Sequence, residues 1–213
     1  MLGQFEDGIN LCYNGQMRSF QSERIPRPEI DSKVRELLDS GEIDLEIGAG
    51  QGLHAIQYCR MQPQRRLVAI ERTHVRFAGL EQRLRNHPEI ENLSAVHADA
   101  VSILTHYVKN ESVARLFLLY PNPYPKAKQA NQRWHNMPFM SEILSKLKSG
   151  GELTLATNSE PYALEARAKM TSTWNMQLLE EKMLTSSQTP RTHFEKKYLE
   201  RGERCWNFVF RKN

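Results

Sequence analysis

Short apolar runs alternate with amphipathic segments along most of the chain. The run at residues 114–120 is almost entirely apolar and of strand length, which is typical of a strand buried on both sides of a sheet. In the segment 75–86, by contrast, Phe77, Leu80 and Leu84 recur at the spacing of one helix face. Repeated strand–helix units of this kind predict an α/β fold whose sheet is mostly parallel and carries helices on both faces.

The same pattern divides the chain into elements. Five strands are predicted at residues 43–47, 67–70, 93–96, 114–120 and 152–156. Helices are predicted at residues 29–38, 53–61, 75–86, 101–108 and 161–170, with a further helix from about Pro138 that ends at Ser149-Gly150-Gly151. Two more β-like runs, at 176–184 and 206–211, follow with no obvious helix between them. We expect these two to pair antiparallel and to complete a seven-stranded sheet.

The first forty residues differ from the rest in composition, because they are mostly polar and lack the strand–helix alternation. Their basic residues include Arg18, Arg24, Arg27 and Lys33. A chain of 213 residues is long enough for one sizeable core and small appendages. We therefore expect an amino-terminal appendage over residues 1–40 and a single domain over residues 41–213.

Composition narrows the class of protein. No apolar run approaches the ~18 residues of a membrane span, and residues 1–7 lack the basic start and apolar stretch of a signal peptide. Cys12, Cys59 and Cys205 are far apart and form no Cys-x-x-Cys pair, so neither a zinc site nor a disulfide framework is indicated. These features predict a cytoplasmic protein without a bound metal. A net charge of +4 permits binding to a polyanion without requiring it.

A glycine loop follows the first predicted strand. Glu46 is followed by Gly48, Gly50 and Gly52, whose lack of a Cβ allows a tight turn and a close approach to a ligand. A dinucleotide site has its third glycine three residues after the second, but that position is Leu53 here. The spacing Gly-x-Gly-x-Gly after an acid is instead that of S-adenosylmethionine sites.

Acidic residues end the next two strands. Glu71 comes nineteen residues after Gly52, where a carboxylate can accept hydrogen bonds from both hydroxyls of a ribose. Asp99 and Ala100 follow the third strand, where the acid and nearby backbone groups are able to meet an adenine amine. Asp99 also suits the N-cap of the helix after it, and the two roles are compatible.

The strand at residues 114–120 ends in a loop with three prolines, Pro121, Pro123 and Pro125. Proline fixes φ and has no N–H, so alternating prolines hold a chain extended and rigid. Between and after them stand Asn122, Tyr124 and Lys126. The loop therefore presents an amide, an aromatic ring and an ammonium group at the carboxyl end of a strand, where ligands of open α/β sheets bind.

With these motifs the chain resembles the tRNA (guanine-N7) methyltransferase family over residues 43–210. The resemblance is carried by Leu45 to Gly52, Ala69-Ile70-Glu71, Asp99-Ala100, the proline loop 121–126, Arg133, Phe139, residues 147–151, Ala156-Thr157-Asn158, Glu160-Pro161-Tyr162 and residues 192–195. It implies a Rossmann-like class I methyltransferase fold, S-adenosylmethionine as cofactor, tRNA as substrate, and a monomer or homodimer.

The resemblance also implies roles for individual residues. Glu46, Glu71 and Asp99, with the three glycines and Ala100, are expected to hold the cofactor. The residues expected to face the substrate are Lys126, Arg133, Asn158, Thr192 and Glu195.

Several substitutions separate this chain from the family's usual motifs. The loop Pro-Asp-Pro-Trp-Pro-Lys of the family has Asn122 and Tyr124 here, and its Ala-Thr-Asp-Trp has Asn158. A carboxylate accepts two hydrogen bonds from the N–H groups of guanine's Watson–Crick edge, whereas an amide offers one acceptor and one donor. The family's loop is followed by a dense cluster of basic residues. In this chain the cluster has fewer of them, namely Lys126, Lys128 and Arg133.

The expected chemistry is in-line attack of a nucleophile on a sulfonium methyl group. Guanine N7 carries a free lone pair at neutral pH, so no general base is needed, and catalysis rests on positioning. Our hypothesis is that Asn122 orients the base, Tyr124 stacks on it and Lys126 holds a phosphate.

Two alternatives stay open. Asn-Pro followed by an aromatic residue resembles the loop of methyltransferases that modify amine or amide nitrogens, although Asn122-Pro123-Tyr124 lacks their second consecutive proline. In the second alternative, the chain is a paralogue that binds cofactor or RNA and catalyses little. The retention of Glu46, Glu71 and Asp99 argues against this interpretation.

Overall fold

A computed structural model describes residues 12–13, 16–17, 19–39, 41–185 and 189–213; Arg18 and the first residues of the chain lie outside these ranges. The strands are β1 (Cys12–Tyr13), β2 (Gln16–Met17), β3 (Ile43–Ile47), β4 (Leu67–Glu71), β5 (Leu93–His97), β6 (Val113–Leu119), β7 (Leu147–Thr157), β8 (Gln177–Leu184) and β9 (Cys205–Arg211). The α-helices are α1 (Ser32–Asp39), α2 (Leu53–Met61), α3 (His74–Arg85), α4 (Ala100–His106), α5 (Phe139–Lys146), α6 (Glu160–Ser172) and α7 (His193–Glu200).

The main sheet has seven strands in the order β5-β4-β3-β6-β7-β9-β8. Strands β3 to β7 run parallel to one another, whereas β9 is antiparallel to both β7 and β8. The prediction of a mostly parallel α/β sheet with an antiparallel final pair is confirmed. Strand order reverses between β3 and β6, and in such sheets a crevice opens at the carboxyl ends of the two strands.

The two faces of the sheet pack against different helices. In β4, Val68 and Ile70 belong to one core cluster and Leu67 and Ala69 to another, as expected when successive side chains point to opposite faces. The first cluster also contains residues of α1, α4, α5 and α6, and the second contains residues of α2 and α3. The prediction of helices on both faces is therefore confirmed.

One predicted boundary is wrong at the start of β7. Helix α5 ends at Lys146, and β7 begins at Leu147 instead of residue 152, so the glycine pair does not end the helix. Val113 of β6 pairs with Leu147 but Arg115 pairs with Glu152, so the residues between bulge out of the ladder. A Cβ at Gly151 would lie 2.8 Å from the carbonyl oxygen of Lys148, and the bulge therefore needs glycine there.

A second prediction, of no helix between the last two strands, is also wrong. Helix α7 lies there, and its N-cap Thr192 accepts the N–H of Glu195 at 3.0 Å. The apolar signal is weak because the buried residues of α7 are Glu195 and Leu199, while Phe194 is 38% exposed. The capping box Thr-x-x-Glu was the available signal.

The amino-terminal segment packs on the main core over the part that the structure describes. Leu38 of α1 is buried, and the rings of Phe20 and Phe139 lie edge to face at 4.9 Å. The side chain of Tyr107 donates to the carbonyl of Pro28. The division at residue 40 remains a prediction about sequence organisation.

Two glycines of the loop after β3 allow a matched test of packing against strain. Gly48 (φ +77°) and Gly52 (φ +76°) share a left-handed conformation, but a Cβ at Gly52 would lie 2.1 Å from Leu80 Cδ1, whereas nothing lies within 4 Å of a Cβ at Gly48. We expect Gly48→Ala to lower the free energy of unfolding by roughly 1–2 kcal/mol and Gly52→Ala by roughly 2–5 kcal/mol. Urea unfolding without added ligand measures both, and equal losses would contradict the packing argument.

Candidate functional site

The carboxyl ends of β3 and β6 border a crevice made of two adjoining hollows. The first, of about 440 Å³, is lined by Glu71, Asp99, Ala100, Asn122, Tyr124 and Trp134 among others. The second, of about 310 Å³, is lined by Glu46, Gly50, His54, Thr192 and His193 among others. Gly48, Arg76, Leu119 and Phe194 border both. The crevice therefore brings the predicted cofactor residues, except Gly52, together with the tip of the proline loop.

The glycine loop is held by Glu71 at the end of β4. One carboxylate oxygen of Glu71 accepts the N–H of Gly50 at 2.9 Å, and the other accepts the N–H of Thr73 at 2.7 Å. The N–H of Gly48 donates to the carbonyl of Ile70 at 2.8 Å. Each carboxylate oxygen keeps a second lone pair, so Glu71 is able to fix the loop and still bind a ligand.

Glu46 is paired with a histidine that sequence reasoning missed. The carboxylate is buried, and its Oε2 lies 3.0 Å from Nδ1 of His54, in the first turn of α2. The His54 ring also packs edge to face on Phe117 at 4.7 Å. No sequence motif indicated His54, because its contact with Glu46 depends on the direction in which α2 leaves the glycine loop. The pair presents a polar wall to the second hollow.

Asp99 is the N-cap of α4, as the sequence predicted. Its Oδ1 accepts the N–H of Val101 at 2.8 Å, and its Oδ2 lies 3.4 Å from Nη1 of Arg72. Asp99 and Ala100 both line the first hollow. A contact of Asp99 with an adenine amine stays a prediction.

Two tyrosines, one just before the proline loop and one within it, have left-handed backbone, which costs about 1–2 kcal/mol for a residue with a Cβ. Tyr120 has φ +54° and Tyr124 has φ +44°. Tyr120 is held by its N–H, which donates to the carbonyl of Ala156 at 2.8 Å, and by its hydroxyl, which donates to Glu195 at 2.7 Å. The N–H of Tyr124 donates to Oδ1 of Asn122 at 3.2 Å. These bonds offset the strain and give the loop one conformation.

The basic side chains in and after the proline loop differ in exposure and in ion pairing. Lys126 and Lys128 are exposed, and neither has a carboxylate within salt-bridge distance among the described residues. Arg133 is instead half-buried, pairs with Glu165 of α6 and donates to the carbonyl of Tyr124. Arg133 borders neither hollow.

Glu195 lies behind the crevice wall and not in it. Its carboxylate is 2% exposed and accepts hydrogen bonds from Tyr120 Oη, from the Arg191 N–H at 2.9 Å and from Arg191 Nη2 at 2.7 Å. Burial raises the pKa of Glu195, but the hydrogen bonds from Arg191 outweigh burial, and the pKa is lowered. The carboxylate is thus a buried anion with its partners in place.

Thr192 borders the crevice, whereas Asn158 does not. Thr192 borders the second hollow while its hydroxyl caps α7. Asn158, just beyond β7, donates to Glu203 at 2.8 Å and borders neither hollow. The substrate-facing roles of both residues stay predictions.

Arg76 and Phe194 form a bridge over the crevice that the sequence did not indicate. The guanidinium carbon of Arg76, on α3, lies 5.3 Å from the ring centroid of Phe194, on α7, which is the geometry of a cation–π contact. Both residues border both hollows. The aromatic residue two positions after Thr192 was the available signal.

Other site types find little support in the part of the chain that the structure describes. No cluster of three or more His, Cys, Asp or Glu side chains suited to a metal ion occurs there, and no helix there is long and apolar enough to cross a membrane. Cys59 and Cys205 are free and buried, and burial raises the pKa of the Cys59 thiol to about 12. The side chain of Cys12 lies outside the described residues.

Fold and crevice define the class: an open seven-stranded sheet with a glycine loop and acids at its carboxyl edge is the arrangement of Rossmann-like methyltransferases. A solved 16S rRNA methyltransferase, KamB, has the same fold, with a TM-score of 0.63, 18% identity, and coverage of 87% of this chain and 95% of that one.

The sequence comparisons identify the family. Residues 40–208 match the family described as "Putative methyltransferase". A tRNA (guanine-N(7)-)-methyltransferase of Neisseria gonorrhoeae is 30% identical, and one of Nitrosococcus oceani is 31% identical, each over 79% of this chain and 71% of the relative. The chain belongs to the tRNA (guanine-N(7)-)-methyltransferase family.

The pairing of Glu195 with Arg191 is testable by removing the cation. Arg191→Met leaves a buried carboxylate without its charged partner, so we expect the free energy of unfolding to fall by roughly 3–5 kcal/mol. Lys197→Met, on the exposed side of α7, is the matched control and should change it by less than about 0.5 kcal/mol. Urea unfolding at neutral pH measures both.

The same pair predicts a pH dependence. Because the fold lowers the pKa of Glu195 below 4.5, its contribution is fully present above that pH and is lost as the pH falls further. The stability gap between the wild type and Arg191→Met should therefore narrow in acid. A gap that stays constant down to the acid unfolding transition would contradict the assignment.

Proposed function

We propose that this enzyme transfers the methyl group of S-adenosylmethionine to N7 of a guanine in tRNA. One observation carries the proposal: in a member of this family, a crevice built from the glycine loop, Glu71 and Asp99 runs directly to the rigid loop of Asn122 and Tyr124. The named relatives act on the same acceptor.

The residues present fit this cofactor. Gly48 and Gly50 have φ of +77° and +58°, and a Cβ at either would meet no atom within 4 Å, so the loop leaves open space where a ligand can approach the backbone. Glu71, Asp99 and Ala100 would hold the adenosine end in the first hollow. Glu46, paired with His54, would face the amino-acid end in the second.

The chemistry asks little of the protein besides positioning. When bound, S-adenosylmethionine supplies an electrophilic methyl group on a sulfonium. Asn122 and Tyr124 would present the guanine to that group, with Tyr124 stacking on the base and Asn122 in its plane. Since N7 needs no deprotonation, the absence of a base among these residues is consistent with the reaction.

Substrate affinity would come largely from phosphates. Lys126 and Lys128 are exposed beside the crevice and are free to release counterions from an RNA backbone. Thr192 borders the second hollow, and Asn158 lies just beyond β7, outside both hollows. Glu195 would reach a base only after Arg191 and Tyr120 release its carboxylate.

The side chain of Asn122 is already engaged within the loop. Its Oδ1 accepts the N–H of Tyr124 at 3.2 Å, which leaves a second lone pair on Oδ1 and the amide N–H groups for a substrate. These groups suit both a guanine and an amine, so the choice of guanine as acceptor rests on the named relatives.

Product identification tests the proposal. Purified protein is incubated with labelled S-adenosylmethionine, total tRNA and a protein extract, and the labelled material is digested. N7-methylguanosine from tRNA is the expected product, whereas a methylated amine or amide would overturn the acceptor assignment. No transfer to any acceptor, together with measurable cofactor binding, would indicate a non-catalytic paralogue.

Substitution of Asn122 tests the orienting role. Asn122→Ala removes both the acceptor for the Tyr124 N–H and the group facing the base, so we expect kcat to fall at least about tenfold, the equivalent of ~1.4 kcal/mol. Asn122→Asp keeps an acceptor for that N–H and should retain activity. Calorimetric binding of S-adenosylhomocysteine should be equal in both. Full methyl transfer by Asn122→Ala would show the orienting role to be wrong.

A further inference from the structure

A buried polar cluster lies behind the proline loop, on the side away from the crevice. It consists of Arg133, His135, Asn136 and Glu165, none of which lines either hollow. We propose that Arg133, held by Glu165, is a positioning residue that keeps Tyr124 in its left-handed conformation and thereby places the acceptor base, and that Arg133 binds no phosphate. This inference rests on the proposed function only for its kinetic readout.

Arg133 joins the loop to the body of the domain. Its Nε and Nη2 donate to the carbonyl oxygen of Tyr124 at 3.2 and 2.9 Å, and its Nη1 donates to a carboxylate oxygen of Glu165. All three guanidinium nitrogens thus have a protein acceptor. The side chain is 13% exposed, which leaves little of the cation for an RNA phosphate.

Glu165 of α6 is fixed in turn by two fully buried side chains. Its Oε1 accepts a hydrogen bond from Nδ2 of Asn136 at 2.8 Å, and its Oε2 lies 3.1 Å from Nε2 of His135. Burial raises the pKa of Glu165, but the neighbouring His135 and the hydrogen bonds from Asn136 and Arg133 outweigh burial and lower the pKa to about 2. The carboxylate is therefore charged at any pH at which the enzyme would work.

The cluster contacts the part of the loop whose backbone conformation is not restricted by a proline ring. Pro121, Pro123 and Pro125 have φ fixed by their rings, so the choice of conformation falls to Asn122 and Tyr124. Tyr124 adopts φ +44°, which a residue with a Cβ rarely does unless its surroundings impose it. Two N–H donors on its carbonyl oxygen impose it here. Loss of these two bonds would free the backbone of Tyr124, which lines the first hollow together with Asn122.

The two roles considered for Arg133 are phosphate binding and positioning of the loop. They predict different effects of a substitution at Glu165. If Arg133 bound phosphate, Glu165→Gln would leave the cation more available and tRNA binding no weaker. If Arg133 positions the loop, Glu165→Gln removes the charged anchor of the guanidinium and should reproduce the defect of Arg133→Met. The Arg167–Glu181 ion pair, on α6 and β8, is exposed on both sides and supplies matched controls in Arg167→Met and Glu181→Gln.

The test measures single-turnover methyl transfer and tRNA binding as a function of salt. Arg133→Met and Glu165→Gln should each lower the transfer rate about tenfold or more, with the Kd for tRNA within about twofold of the wild type and an unchanged slope of log Kd against log salt. The double variant should be no slower than the worse single one, since both act through one contact. Lys128→Met, which removes a proposed phosphate contact, should reduce the salt slope by about one.

Arg133→Lys covers the case in which Arg133→Met folds poorly, because lysine keeps a charge beside Glu165 but lacks the fork that binds the Tyr124 carbonyl. It should remain folded and still transfer slowly. A loss of tRNA affinity and of salt slope in Arg133→Met, with normal binding and rate in Glu165→Gln, would overturn the proposal.

A structural readout separates this proposal from the proposed function. Hydrogen exchange at the amides of Asn122, Tyr124 and Lys126 should be faster in Arg133→Met and Glu165→Gln than in the wild type and the Arg167 and Glu181 controls. That result would support the positioning role even if the wild type methylated no tRNA. Unchanged exchange in both variants would refute it whatever the acceptor.

Discussion

A carboxylate that is removed from water must be paired, and three such carboxylates hold the loops around this crevice. Glu71 binds the N–H of Gly50 in the glycine loop, and Glu195 binds Arg191 and the hydroxyl of Tyr120. Glu165 binds Arg133, which holds the proline loop. Leaving any of these anions buried without a partner would cost several kcal/mol, so each one imposes a single conformation on a segment that has no sheet or helix to support it.

This constraint suits a reaction in which the protein mainly positions two reactants. A methyl transfer to a free lone pair is limited by alignment, and alignment is lost if the loops sample several conformations. The left-handed backbone of Tyr120 and Tyr124 shows that the loop does not hold its shape by local preference alone. The paired carboxylates supply the free energy that offsets this strain. The same paired carboxylates shape the border of the crevice. In this conformation the partners of Glu195 hold its carboxylate behind that border.

Much of the fold was predictable because its signals are local. Strands of a parallel sheet are buried on both faces, so β4 appears in the sequence as a short, mostly apolar run, Leu67–Glu71, close to the predicted bounds 67–70. The bulge at the start of β7 and helix α7 were missed because their signals are not apolar periodicity. A ladder shift depends on the partner strand, and α7 depends on the capping box at Thr192 and Glu195.

The sequence by itself determined the elements of the sheet, the chemistry along its carboxyl edge and the family, because these depend on residue types at short spacing. Only the tertiary structure decided which polar groups meet. Tyr120 and Glu195 are 75 residues apart, and Arg133 and Glu165 are 32 apart. Their pairing gave Arg133 a place behind the loop and Glu195 a place behind the wall. Hydrogen bonds form between atoms about 3 Å apart, and only the packing of helices on the sheet brings such distant residues that close.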